Sequence, residues 1–121
     1  MNSNFVFKIL EHKEWFNKEE EYKGSLIDLK DGFIHLSTNN QIYETCKKHF
    51  FDKENLIVIY FKIKDLENNL KWEKSRKDDL FPHYYGKIKK KLIIGFFKIR
   101  RISDGSHEFP EDFITGKLFN K

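Results

Sequence analysis

Three stretches of the chain have the pattern of apolar residues that is typical of β-strands. They cover residues 5–10, residues 56–63 and residues 92–102, and the last of them is interrupted by Gly95. All three are rich in β-branched and aromatic side chains, which pack well on a pleated sheet. The stretch at residues 56–63 is long and apolar enough to predict a central strand.

Residues 38–50 show the spacing of an amphipathic helix instead. Thr38 and Gln41 have the spacing of a capping box, in which the hydroxyl and the amide each satisfy a backbone N–H group of the first turn. Apolar residues then recur at every fourth position and predict a buried stripe, made of Ile42, Cys46 and Phe50. A charged segment, residues 11–21, predicts a second and shorter helix.

A short strand that ends in polar residues is predicted just before the longer helix. Asp31 and Gly32 form a turn signal, and the strand that follows leads to His35. Ser37 and Thr38 come next, so an imidazole and two hydroxyls lie near free helix N–H groups, which favour anionic ligands. Helix capping explains the two hydroxyls as well as ligand contact does, and a hydrogen-bonded structural histidine is the alternative for His35.

Residues 70–86 mix aromatic, charged and histidine side chains without a sustained helical or strand period. We therefore expect an irregular segment, of the kind that often carries function. Glu73 could act as an acid, a base or the orienting partner of Arg76, whose guanidinium would suit a phosphate or a carboxylate. An ordinary surface ion pair is the alternative.

The end of the same segment presents an imidazole and two phenols, from His83, Tyr84 and Tyr85. Pro82 restricts the backbone before them, and Gly86 frees it after them. These rings could stack on a base or form hydrogen bonds with a ribose. A packed aromatic loop is the alternative.

The composition narrows the classes of function. A chain of 121 residues suits a single domain over residues 1–121. Its net charge of +4 comes mostly from lysine, and the densest basic runs adjoin apolar segments, so they suit the solvated side of a strand better than a nucleic-acid surface. Signatures of phosphate loops, dinucleotide folds, zinc proteases and serine hydrolases are absent. The five histidines are too widely spaced to predict a metal site.

Two further features indicate where the protein acts. Cys46 is the only cysteine, which excludes an intramolecular disulfide and fits a reducing compartment. No stretch approaches the roughly 18 apolar residues that a membrane-spanning helix needs. We therefore expect a cytoplasmic protein that does not associate with membranes.

Taken together, the motifs resemble those of the family of unknown function numbered 952 (DUF952), over about residues 5–110. The residues that carry the resemblance are Gly24-Ser25, the run from Asp31 to Thr38, Trp72-Glu73, Ser75-Arg76 and the run from Leu80 to Gly86. The resemblance implies an α+β fold with a small split antiparallel or mixed β-sheet and flanking short helices. That fold is similar to the ADP-ribosyltransferase group, which includes NAD-dependent RNA 2′-phosphotransferases.

The resemblance also implies roles for individual residues. His35 would replace the strand histidine that binds an NAD ribose, with Ser37 beside it and Tyr84 or Tyr85 stacked on the nicotinamide. Transfer from NAD needs a carboxylate near an oxocarbenium-like ribose, and the two candidates are Glu73 and Glu108. The phosphotransferase branch would use Arg76 and His83 to contact phosphate.

The leading hypothesis from the sequence is a nucleotide-binding enzyme that transfers an ADP-ribosyl or phosphoryl group, with NAD as the co-substrate. Its candidate catalytic residues are His35, Glu73, Arg76 and His83, and its candidate ligand contacts are Ser37, Thr38, Trp72, Tyr84, Tyr85 and Glu108. A module that binds a small phosphorylated ligand without turnover is one alternative. A protein that interacts with RNA or single-stranded DNA is the other.

Overall fold

The structure, a computed structural model, describes residues 4–119 apart from the side chain of Arg76. These residues form nine strands and five α-helices. The strands are β1 (Phe5–Glu11), β2 (Glu21–Tyr22), β3 (Ile34–His35), β4 (Leu56–Lys62), β5 (Leu70–Lys74), β6 (Leu80–Tyr84), β7 (Ile88–Lys89), β8 (Gly95–Arg101) and β9 (His107–Glu108). The helices are α1 (His12–Trp15), α2 (Leu26–Asp31), α3 (Ile42–His49), α4 (Ile63–Leu66) and α5 (Glu111–Thr115). Single 3-10 turns cover Arg76–Asp78, Lys90–Leu92 and Lys117–Phe119.

The strands form three antiparallel sheets, so the fold is α+β. The main sheet has the order β1-β4-β8-β9, the small sheet has the order β3-β6-β5, and β2 pairs with β7. Immediately after β3, Ser37 and Phe7 exchange two backbone hydrogen bonds of 2.8 Å, which join the small sheet to the edge of the main sheet. None of the helices in residues 4–119 has the length and apolar character that a membrane crossing requires.

The two faces of the main sheet cover two separate apolar clusters, because successive side chains of a strand point to opposite faces. The helix-facing cluster lies under α3 and α5; it contains Phe7, Ile9, Ile42, Cys46, Leu56, Val58, Tyr60, Ile99, Phe109 and Phe113. The inter-sheet cluster lies between the main sheet and the two smaller sheets; it contains Val6, Leu10, Trp15, Tyr22, Ile34, Leu36, Ile57, Ile59, Phe61, Leu66 and Ile88.

The predicted strands and the longer helix are confirmed with small changes at their ends. The capping box at Thr38 and Gln41 is present, and the regular helix follows it as α3. The third strand begins only at Gly95, because a 3-10 turn occupies part of the preceding apolar run. A side chain at residue 95 would also meet the hydroxyl of Tyr60 at 2.6 Å.

Two predictions of local structure were wrong. Residues 11–21 form only the four-residue helix α1 before the chain extends into β2. Residues 70–86, expected to be irregular, contain the antiparallel pair β5 and β6. Leu70 and Trp72 do alternate with Lys71 and Glu73 in β5, but the run is only five residues long, and Pro82 interrupts the pattern in β6.

Candidate functional site

His35 and His83 lie directly opposite each other in the small sheet. They are register partners in β3 and β6, and their ring centroids are 5.6 Å apart at 67°. Directly opposed residues of an antiparallel pair share a sheet face, so the pairing itself brings the two imidazoles together. The side chain of His35 is 36% exposed, whereas His83 is buried.

Asp28 holds the ring of His35 from the other side. Its Oδ1 accepts hydrogen bonds from the backbone N–H of His35 at 3.1 Å and from His35 Nδ1 at 2.6 Å. Its Oδ2 accepts from the backbone N–H of Ser25 at 2.9 Å and lies 2.7 Å from Lys8 Nζ. The outer nitrogen of His35, Nε2, lies 3.1 Å from Asp31 Oδ2.

Local structure explains why Asp28 lies there. Ser25 caps α2, and Asp28 is the third residue of that helix, so their side chains form a reciprocal capping box. Gly24 precedes the cap with φ of +109°, and a Cβ at this position would lie 2.7 Å from Cβ of Asp28. Only glycine fits a positive φ and so close an approach, so the sequence Gly-Ser-x-x-Asp sets the place of the carboxylate.

The Lys8 and Asp28 side chains are ionised and buried together. Burial raises the pKa of Asp28, but the hydrogen bond from His35 and the charge of Lys8 outweigh that effect, so the net pKa lies below the usual value. Burial lowers the pKa of Lys8, and the Asp28 carboxylate offsets only part of that change. Four donors to one carboxyl group require the carboxylate form, and the ammonium of Lys8 supplies its counter-charge.

His83 has a carboxylate partner of its own. Glu73 Oε1 lies 2.8 Å from His83 Nδ1, and it accepts a second hydrogen bond from the hydroxyl of Tyr85, also at 2.8 Å. The hydrogen bond from His83, followed by that from Tyr85, lowers the pKa of Glu73. The same hydrogen bond to Glu73 raises the pKa of Tyr85. Each imidazole therefore has an ionised carboxylate at Nδ1, which directs the proton of the neutral ring to that nitrogen.

Phe33 fills the space between these polar groups. Its ring stacks on His83 with centroids 4.1 Å apart, and it also contacts His35 at 4.6 Å and Tyr85 at 5.4 Å. Lys71 Nζ lies 4.9 Å from the centroid of Tyr85. We call the set of Phe33, His35, Glu73, His83 and Tyr85 the histidine cluster.

Several predicted site residues lie away from this cluster. Ser37 is buried and its hydroxyl lies 3.2 Å from that of Thr45, while Thr38 caps the helix. Tyr84 is the register partner of Ile34, so it lies on the opposite face of the small sheet. Glu108 pairs with Arg100 at 2.6 Å on the far edge of the main sheet.

Two further predicted site residues are Trp72 and Arg76. Trp72 lies on the same face of β5 as Leu70, opposite to the face that carries Glu73, and it is exposed. Arg76 begins the 3-10 turn after β5, and its side chain lies outside the described part of the chain. The structure therefore brings together His35, Glu73, His83 and Tyr85 from the predicted set.

Sequence reasoning missed Lys8, Asp28, Asp31 and Phe33 as members of the site. Two signals were present. Lys8 is the only charged residue within the predicted strand at residues 5–10, and Ser25 with Asp28 has the spacing of a capping box. Neither signal joins the two residues, because they are far apart in sequence.

Two grooves elsewhere on the surface carry charges of both signs. One, of about 610 Å³, is lined by residues that include Glu14, Glu19, Lys23 and Lys87. The other, of about 520 Å³, is lined by Glu20, Glu21 and Lys89–Lys91, so glutamates face the basic run. Neither groove includes a residue of the histidine cluster. We place the candidate site at the cluster because its groups can exchange protons. In residues 4–119 no group of three or more His, Cys, Asp or Glu side chains is arranged to hold a metal ion.

Comparison with known proteins identifies close structural relatives without a stated activity. The crystal structure of protein CC0527 from Caulobacter crescentus is 32% identical, with a TM-score of 0.85, and the match covers 91% of this chain and 98% of that one. The solution NMR structure of CC0527 matches with a TM-score of 0.76 and 33% identity, over 92% and 95% of the two chains. No curated protein matches the chain. The family described as "Protein of unknown function (DUF952)" matches over residues 9–96, and the chain belongs to that family.

Proposed function

We propose that the protein binds a nucleotide-type ligand, NAD or an ADP-ribosyl compound, at the histidine cluster and transfers a glycosyl group. The observation that carries the proposal is the position of Glu73. Its Oε1 accepts hydrogen bonds from His83 and Tyr85, on the sheet face that also presents His35. A carboxylate fixed beside imidazoles and aromatic rings suits chemistry at an anomeric carbon.

The charges around the cluster favour glycosyl transfer over phosphoryl transfer. Cleavage at the anomeric carbon develops positive charge on the ribose ring, which a carboxylate stabilises. Asp28, Asp31 and Glu73 each contact one of the two imidazoles, so the site is rich in negative charge. Phosphoryl transfer would need several cations at the same place. Lys71 lies over the ring of Tyr85, and a phosphate contact by Arg76 stays a prediction.

Each group would have a distinct task. Glu73 would stabilise the ribosyl cation through Oε2, since both of its hydrogen bonds use Oε1. His35 would bind a ribose hydroxyl through Nε2, and the rings of Phe33 and Tyr85 would pack against the nicotinamide. The bond from C1′ to nicotinamide breaks, its electron pair leaves with nicotinamide, and a water or other nucleophile bonds to C1′ and loses a proton.

The likeness to the ADP-ribosyltransferase group that the sequence resemblance implies would favour the same ligand class, although a shared fold does not fix a reaction. Binding without turnover is the second candidate. It is favoured by the burial of His83, which leaves the ring little room to move a proton to a ligand. The two candidates make different predictions for Glu73, because only the first requires its charge in the transition state.

The test combines a titration with a turnover assay. Amide NMR spectra would be recorded with NAD, ADP-ribose and a 2′-phosphorylated oligonucleotide, and nicotinamide release from NAD would be followed in parallel. We expect saturable shifts at residues 33–37 and 71–85 with NAD and ADP-ribose. Glu73→Gln should keep the affinity for NAD and lower turnover by about 100-fold or more, because it removes the stabilising charge and little else.

Glu108→Gln is the matched control, since it makes the same chemical change in a carboxylate remote from the cluster and should leave turnover unchanged. Binding with no turnover in any variant would select the binding module. Shifts with the oligonucleotide alone would favour a phosphate or nucleic-acid ligand. The absence of saturable shifts at millimolar NAD and ADP-ribose would overturn the nucleotide proposal.

A further inference from the structure

An ion pair lies buried in the apolar inter-sheet region. Lys8 is in the middle of β1, on the same strand face as Val6 and Leu10, which belong to the inter-sheet cluster. The side chains of Lys8 and Asp28 are only 7% and 0% exposed, with 2.7 Å between Nζ and Oδ2. Removing two charges from water costs more than an apolar pair of similar size would, so core packing alone does not account for this pair.

The pair is the inner end of a continuous polar connection to the histidine cluster. Asp28 Oδ2 contacts Lys8, and Oδ1 of the same carboxylate receives both the backbone N–H and the ring Nδ1 of His35. Two donors from one residue to one oxygen fix the backbone and the ring of His35 together. The connection therefore runs from the apolar interior to the exposed imidazole through a single carboxylate.

We infer that Lys8 and Asp28 are positioning residues of the proposed site: they hold His35 as the Nδ1–H tautomer, so that Nε2 is the nitrogen that takes up and releases a proton. The use of that nitrogen by a ligand rests on the proposed function, but the tautomer does not. Both ring nitrogens of His35 face a carboxylate, and a carboxylate only accepts hydrogen bonds. The contact of Nδ1 with Asp28 is shorter, 2.6 Å against 3.1 Å for Nε2 with Asp31, and Asp28 is buried whereas Asp31 is 38% exposed, so Nδ1 keeps its proton when the ring is neutral.

Lys8 has a separate effect on the charge of the site. The groups that face the His35 ring are Asp28 at Nδ1, Asp31 at Nε2, and the rings of Phe33 and His83, with Glu73 behind His83. The ammonium of Lys8 balances the charge of the nearest carboxylate, Asp28. Without Lys8, the charge of Asp28 would be uncompensated beside the ring of His35.

Ring-nitrogen NMR tests the inference without any ligand. Long-range proton–nitrogen spectra of the full chain, recorded between pH 5 and 9, report the tautomer and the protonation of each imidazole. We expect the neutral ring of His35 in the wild-type protein to be the Nδ1–H form. Lys8→Met should shift the ring-nitrogen signals of His35, because it removes the counter-charge of the carboxylate that contacts Nδ1. Asp28→Asn should remove the preference for the Nδ1–H form.

Asp31→Asn is the matched control, because it removes the carboxylate at the other ring nitrogen and should leave the tautomer unchanged. Thermal unfolding shows whether each variant folds. If a variant at a buried position does not fold, the tautomer of His35 in the wild-type protein still tests the inference. An Nε2–H tautomer in the wild-type protein would overturn the inference. So would a lower Tm of Lys8→Met with unchanged ring-nitrogen signals of His35, since a purely structural pair gives that result. A failure of NAD to bind would affect only the proposed function.

Discussion

The two faces of the main sheet solve different problems. On the helix-facing side, aromatic rings pack edge to face and tilted, as Phe113 does with Phe7 at 5.2 Å and with Phe97 at 5.0 Å. On the inter-sheet side, the packing admits Lys8 and Asp28. The buried polar residues in the described part of the chain are Lys8, Asp28, Ser37 and His83, and three of the four belong to the histidine cluster or its buried connection. The helix-facing side stabilises the fold through apolar burial. The inter-sheet side is less stabilising, because it buries charged groups near the site.

The largest effect is expected from a substitution that damages the helix-facing cluster alone. Phe113→Ala removes a buried ring from the helix-facing cluster and should lower the free energy of unfolding by about 3–5 kcal/mol, because a cavity remains. Urea unfolding gives this value. The ring-nitrogen signals of His35 and His83 should stay where they are in the wild-type protein. If they move as far as they do in Lys8→Met, the two faces are not separable.

A pH series compares the faces through a smaller effect. The pKa of Asp28 is lowered by folding, so the unfolded chain binds more protons below the ordinary value of 3.8. The stabilisation is complete above that pH and is lost as the pH falls towards the folded pKa, at a cost on the order of 2 kcal/mol. Urea unfolding between pH 6 and 2.5 measures it.

Asp28→Asn is the control for this pH series, because the exposed carboxylates contribute equally to the pH dependence of both proteins. The variant should be less stable at neutral pH and less sensitive to acid than the wild-type protein. Parallel curves for the two proteins would mean that Asp28 does not carry the pH dependence of the inter-sheet side.

The smallest effect comes from the cap that orients Asp28. Ser25→Ala removes the hydroxyl that accepts from the backbone N–H of Asp28, and it should cost about 1 kcal/mol. Thr38→Ala is a matched loss, since that hydroxyl accepts from Gln41 at the start of α3. Both variants should lose similar stability in urea, but only Ser25→Ala should shift the ring signals of His35. Equal shifts in the two variants would contradict a specific link from the cap to the site.

The sequence predicted the elements whose side chains serve the core. β1, β4 and α3 have apolar spacing that follows burial, so their positions were found to within a few residues. The strand β5 was missed although Leu70 and Trp72 alternate with Lys71 and Glu73, because the run is short and lies in a segment of mixed aromatic, charged and histidine residues. Helix α2 was missed because it exposes Leu26, Ile27 and Leu29, which hides the amphipathic pattern.

The candidate site was predicted in part for a related reason. His35, Glu73, His83 and Tyr85 stand out as chemically capable residues in short motifs, and the register of β3, β6 and β5 brings them together. The link from Lys8 to Asp28 depends on an approach of β1 and α2 that no local pattern contains. Glu108 could not be separated from Glu73 by spacing alone, and only their placement at opposite ends of the fold distinguishes them.

Because β3 is short, the pairing of His35 with His83 has a local stability that differs from the stability of the whole fold. Two residues pair with β6, and two hydrogen bonds between Ser37 and Phe7 attach the segment to the main sheet. These few contacts can open while both apolar clusters stay intact, because local opening costs less free energy than global unfolding. The two imidazoles would then separate in a molecule that is otherwise native. Amide hydrogen exchange at Leu36 and Ser37 would report the fraction of time during which the site is assembled.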